Sequence, residues 1–159
     1  MGVEIKREEV ELQEIQSVSV ETVAKDKARK AYNNINKPVI VEDTGLYIED
    51  LNGFPGALSK LVSETFGYDK LCEIIGENRN ARAKTTIAYC DKNELRTFSG
   101  EIKGRISKEP RGEDSFGWDT IFIPKGYQKT YAELGHKKHK ISMRKKAIKK
   151  LEVFLRAKI

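Results

Sequence analysis

The stretch Pro38-Val39-Ile40-Val41-Glu42-Asp43-Thr44-Gly45 constrains this chain more than any other. Three β-branched apolar residues, opened by a proline that is tolerated at a strand's first position, read as a short buried strand. Two adjacent carboxylates follow, and a carboxylate is costly to bury unpaired. Neighbouring strand residues point to opposite faces, so both acids serve one site only if the strand stops there, which Gly45 suggests. Carboxylates at the C-terminal end of a strand stand where α/β sheets hold ligands. Three explanations stay open on this stretch alone: a hard cation such as Mg2+ on carboxylate oxygen, a water oriented by a general base, or Asp43 capping the segment Thr44–Leu51.

The flanking segments define the fold class. Val3–Gln13 alternates apolar and polar residues and predicts a strand. Ser19–Ile35 predicts a helix capped by Ser19, with Val20, Val23, Ala24, Ala28, Ala31 and Ile35 recurring at a period near 3.6. Lys27 lies on that same apolar stripe, where a lysine must snorkel to water or meet an anion. Asn52–Lys60 is a turn-rich loop, and Tyr68–Ile75 is a short helix ended by Gly76. Ala83–Cys90 and Leu95–Ile106 form a hairpin around Asp91–Glu94, and Trp118–Ile123 is a further strand. The last helix starts at Ser142 as N-cap and carries its apolar stripe on Ala147, Ile148, Leu151, Phe154 and Leu155. Helices mixed with isolated strands and a hairpin argue for an α/β or α+β domain around a mixed sheet.

With 159 residues, 38% hydrophobic and 34% charged, the chain suits one globular domain over residues 1–159. No apolar run approaches the ~18 residues of a membrane span, and the N-terminus lacks a signal-peptide core, so no membrane role and a cytoplasmic location are the expectation. Cys72 and Cys90 fit no metal-ligand spacing and are expected to be core thiols. The net charge of +6 favours anionic partners, and His136–Lys150 holds eight Lys or Arg and no acid. A solvated basic helix face is the plain reading of that run. Its start, with Lys138, Ser142, Met143 and Arg144, also has the makings of an anion site, because a helix N-terminus adds unpaired N–H groups to the side-chain charge.

Phe116-Gly117-Trp118-Asp119 contains the only tryptophan. An aromatic face can stack a nucleobase for ~1–3 kcal/mol, and the carboxylate can accept from a ring N–H; an ordinary core aromatic beside a turn aspartate is the simpler alternative. Together these segments offer acids for a metal, cations for phosphate and an aromatic platform, the set a nucleotide enzyme needs.

"VEDTGL…LNGFPGALSK", "FGWDTIFIPKGYQKTYAEL" and "K…ISMRKKA" resemble the inosine triphosphate pyrophosphatase family, from about Ile5 to the last helix. The resemblance implies an elongated α/β fold, its mixed sheet flanked by helices in two lobes around a central cleft, usually as a homodimer. It implies Mg2+-dependent hydrolysis of the purine nucleoside triphosphates ITP, dITP and XTP to the monophosphate and pyrophosphate. By position, Asp43 matches the acid that orients the attacking water or holds the metal, and Glu14 matches the other metal-binding acid. Thr44, Lys27 and Lys60 match substrate contacts. Phe116, Gly117, Trp118 and Asp119 match the base-binding loop, and Lys138 and Arg144 the basic residues at the base and sugar end. Glu42 is carried over to no role, since neighbouring residues on a strand point to opposite faces.

Two departures accompany the resemblance. The family opens with a strand, a Gly-Asn turn and a lysine that form a phosphate loop; residues 1–159 hold no such segment, and Met1 falls near the second strand. The expectation is a chain that lacks this element, with impaired activity; a nucleotide- or nucleic-acid-binding remnant is the alternative, nucleic acid being the less expected partner. In "ISMR", Met143 stands where the family has a histidine that reads the purine 6-oxo group. Methionine offers only a weak acceptor, so blunted selectivity is expected unless His136 or His139 reaches in.

Overall fold

Ser19 accepts a hydrogen bond from the Thr22 N–H at 3.2 Å and starts α1, Val20–Ile35, in a computed structural model that describes residues 2–113 and 117–159. Asn36, in the left-handed region at φ 55°, closes the helix by donating its N–H to the Tyr32 carbonyl. The expected stripe is buried, from Val20 to Ala31. After α1 come β1 (Val39–Ile48), β2 (Pro55–Gly56), α2 (Ser59–Glu64), α3 (Gly67–Ile74), β3 (Asn80–Cys90) and β4 (Leu95–Ile106). The chain ends with β5 (Phe122–Pro124), α4 (Tyr131–Leu134) and α5 (Met143–Lys158).

The strands form one sheet in the order β2-β1-β3-β4-β5. β3 and β4 are the expected hairpin, with Asp91 Oδ1 accepting from the N–H groups of Asn93 and Glu94 at its turn. α1 covers one face, where Ala24, Ala28 and Ala31 meet Val39, Ala88 and Cys90. α5 covers the other, where Ala147 and Leu151 meet Ile87 and Tyr89. A larger core gathers toward the opposite end of the long strands, from Leu46 and Ile48 through Leu71 to Trp118, Phe122 and Tyr131. Between these cores lies a polar belt in register: Asp43 opposes Thr86, Thr44 opposes Thr85, and Thr86 opposes Ser99. The α/β fold, one sheet flanked by helices, is thus as expected, and Cys72 and Cys90 are buried free thiols.

Four local expectations are corrected. β1 does not stop at the acids but runs on to Ile48, so Glu42 and Asp43 sit in mid-strand on opposite faces. Gly45 is there for close approach rather than a turn: a Cβ would lie 2.6 Å from the Gly56 carbonyl carbon and 2.8 Å from Val20 Cγ1. Val3–Gln13 forms no strand. It bonds to no neighbouring strand, its charged side chains are solvated, and only Leu12 packs on the core. Every pairing among the described residues is antiparallel, where a mixed sheet was expected. Trp118–Ile123 is mostly not strand: Gly117, at φ 52°, opens a 3-10 turn to Thr120, the Ile121 N–H bonds the Trp118 carbonyl, and only Phe122–Pro124 pairs with β4.

Candidate active site

Asp43 is the most perturbed member of the polar belt. Its side chain is 16% exposed, Oδ1 lies 3.6 Å from Lys27 Nζ, and Oδ2 is buried with no hydrogen-bond partner among the described residues. Burial pushes its pKa up to about 6; the Lys27 ammonium opposes that shift, and the Glu14 and Glu42 carboxylates add to it. Lys27, on the inward stripe of α1, has met its anions. Its ammonium is 2.9 Å from Glu14 Oε1 and donates to the Glu42 carbonyl at 3.1 Å. Glu14, Lys27 and Asp43 therefore form one cluster on the α1 face of the sheet.

Their chemistry suits a hard cation. Among the described residues no three His, Cys, Asp or Glu side chains gather as a preformed metal cage. Mg2+ does not need one, since it keeps several waters and commonly takes one or two carboxylates plus substrate phosphates. The orphaned Asp43 Oδ2, with the half-exposed Glu14 carboxylate beside it, fits that donor set.

On the α5 face of the same belt a second cluster forms. Both Glu42 carboxylate oxygens accept from Arg144 Nε, at 3.1 and 2.9 Å. Thr44 and Thr85 share a hydroxyl–hydroxyl hydrogen bond at 2.8 Å. Gly100, opposite Thr85 in register, lets α5 begin directly against β4: a Cβ there would lie 1.9 Å from the Met143 carbonyl oxygen.

A third cluster stands at the edge of the larger core. Asp119 is 3% exposed and is held by an ion pair to Lys138. Burial raises its pKa, against the pull of that lysine. Trp118 is almost fully buried, its ring roughly perpendicular to that of Phe122 at 5.7 Å, so it is a core residue with no ring face open to solvent. Met143 is also a core residue, its sulfur 3.9 Å from the Tyr131 hydroxyl. Gly117 lies in the turn next to Trp118, and Phe116 lies outside the described residues. His136 and His139 face one another at 6.5 Å on the 3-10 helix Gly135–Ile141. Lys60 is apart from all three clusters, exposed on α2 and 3.6 Å from Glu64.

The reading from sequence did not include Thr85, Thr86 or Ser99. Thr85 and Thr86 are fully buried, and Thr86 shares a hydrogen bond with Ser99 at 2.7 Å. Two adjacent hydroxyls just before the apolar run Ile87–Cys90 of β3 were the available signal. An apolar groove of about 510 Å³ between residues 3–12 and the start of β1 is lined by none of the expected site residues.

Comparison with known proteins agrees with this geometry. A model of the Ham1 family matches residues 2–154. The chain belongs to the Ham1 family. A dITP/XTP pyrophosphatase of Methanopyrus kandleri is 46% identical over 153 residues, covering 94% of this chain and 81% of that relative. An inosine triphosphate pyrophosphatase of Yarrowia lipolytica is 40% identical, covering 99% and 85%. The structure of the Staphylococcus aureus Ham1 protein superimposes with a TM-score of 0.84 at 32% identity, covering 94% of this chain and 82% of that one. Ham1 membership bears out the resemblance read from the "VEDTG" and "FGWD" segments.

Proposed function

We propose that this Ham1-family chain hydrolyses deaminated purine nucleoside triphosphates, ITP, dITP and XTP, to the monophosphate and pyrophosphate with Mg2+. The observation that carries the proposal is the buried, unpartnered Asp43 Oδ2 beside Lys27 and Glu14; the names of the relatives supply the substrate class.

Water attacks the α-phosphorus, a new P–O bond forms, the bond to the bridging oxygen breaks, and pyrophosphate leaves with the electron pair. Asp43, with its buried Oδ2 left without a partner among the described residues, orients that water and accepts its proton. Lys27 supplies fixed positive charge where the phosphoryl oxygens gather negative charge, in a partly desolvated place where such charge counts most. Bound at Glu14 and Asp43, Mg2+ supplies further charge neutralisation for the phosphates. Arg144, Lys138, Asp119 and Gly117, placed by the resemblance, face the base and sugar end. The same resemblance makes the working form a cytoplasmic homodimer.

The test is pyrophosphate release from ITP, dITP, XTP, ATP and GTP with Mg2+, with Asp43→Asn as the blank. Release from the first three that is lost in the variant supports the reading; no release from any of them overturns it.

A further inference from the structure

Arg144 is anchored in an unusual way. An arginine presents five N–H donors, one on Nε and four on the two terminal nitrogens. Here both Glu42 oxygens sit on the single Nε donor, at 3.1 and 2.9 Å. Among the described residues the terminal nitrogens make no hydrogen bond, so the recognition edge of the guanidinium is held in place without being used. Fork-shaped donor sets bind carboxylates, phosphates and ring carbonyls through those nitrogens.

Glu42 also touches the other cluster. Its carbonyl oxygen accepts from Lys27 Nζ at 3.1 Å on the opposite face of the strand. One mid-strand residue thus fixes a cation on each face: Lys27 beside Asp43 through its backbone, and Arg144 at the start of α5 through its side chain. The contact to Arg144 spans 102 residues of sequence, and α5 reaches β1 there because Gly100 lets its first turn lie on β4.

We propose that Glu42 is a positioning residue for substrate recognition: it holds Arg144 by Nε so that the terminal nitrogens face the nucleoside end of the substrate. The proposal deepens the pyrophosphatase reading and rests on it. A merely structural salt bridge at this exposed place would act on stability and leave the Michaelis constant alone. A positioning contact acts on ground-state binding of the nucleoside and acts only through Arg144.

A double-mutant cycle with Glu42→Gln, Arg144→Ala and the double variant separates the two. Each is measured for steady-state pyrophosphate release from ITP and for calorimetric binding of IMP, the product that keeps the nucleoside end. Glu42→Gln is expected to raise KM for ITP and Kd for IMP roughly three- to tenfold, with kcat within about twofold. In the Arg144→Ala background it is expected to have no further effect. Unchanged KM and Kd in Glu42→Gln, or equal losses with and without Arg144, overturn the proposal. A parent that binds IMP but releases no pyrophosphate refutes the pyrophosphatase reading while the IMP cycle still decides the role of Glu42. A parent that does neither overturns both.

Discussion

The Lys27 ammonium stands 3.6 Å from Asp43 Oδ1, joining the middle of α1 to the middle of β1 in a place where both side chains are largely buried. The lysine does not keep the acid at its ordinary strength: the pKa of Asp43 is about 6 against 3.8, because burial outweighs the nearby cation. An acid with a raised folded pKa binds more protons folded than unfolded between these two values. Stability is therefore lost as pH rises through about 4 to 6, and the penalty is complete above 6. Asp43→Asn removes that penalty. It is expected to raise the metal-free unfolding midpoint at pH 7.5 by a few degrees, for about 1–3 kcal/mol, with the gap closing near pH 4. Thermal melts at both pH values check this, and a variant melting below the parent at pH 7.5 contradicts it.

Removing the lysine acts on the chemistry. Lys27→Met takes away the largest influence opposing burial, so the pKa of Asp43 moves higher still. The site also loses fixed charge, and kcat for ITP is expected to fall on the order of 10²–10³-fold. Steady-state kinetics on parent and variant read this; a kcat within a few-fold of the parent removes Lys27 from the machinery.

Metal dependence is expected to follow the carboxylates. Chelation should abolish turnover, and Glu14→Gln or Asp43→Asn should weaken Mg2+ binding about 10-fold or more, read by calorimetry on the protein without nucleotide. Equal Mg2+ affinity in all three proteins places the metal elsewhere.

Gly100→Ala probes how α5 is seated. The new Cβ would lie 1.9 Å from the Met143 carbonyl oxygen and 2.7 Å from Lys146 Cβ, so backbone must shift. A loss of about 1–3 kcal/mol is expected, with a raised KM for ITP because Arg144 moves with the helix start. Denaturant unfolding and kinetics on the same preparation check the two together.

Lys138→Met leaves the Asp119 carboxylate, 3% exposed, without its cation. The cost is expected to be on the order of 3 kcal/mol. It should be larger at pH 8 than at pH 5, since the pKa of Asp119 is already raised by burial and rises further without the lysine. As with Asp43, the penalty applies above the folded pKa and fades below it. Denaturant midpoints at the two pH values measure this; a pH-independent loss would mean that removing the lysine leaves the protonation of Asp119 unchanged between pH 5 and pH 8.

The sequence by itself determined what local physics determines. The cap at Ser19, the 3.6-residue stripes of α1 and of α5 (where Ile148 alone turns out exposed), the β3–β4 hairpin and the two buried thiols depend on neighbours a few residues apart. The motif order was enough to place the chain in its family. Alternation misled: Val3–Gln13 has the strand pattern and pairs with no strand among the described residues. Gly45 misled as well, because a glycine required for close packing against Gly56 looks the same in sequence as one required for a turn.

Only the tertiary structure decided how the polar groups divide. Pairing with β3 carries β1 past the acids, and the two-residue period of a strand then sends Asp43 toward α1 and Glu42 toward α5. Lys27 could have snorkelled, and it meets anions because Glu14 and Asp43 arrive from elsewhere in the chain. Trp118 could have offered a stacking face, and its ring is buried because Phe122 and Tyr131 close over it. Each outcome depends on which distant segment supplies the facing atoms, and that information lies in the packing of the whole chain rather than in any window of it.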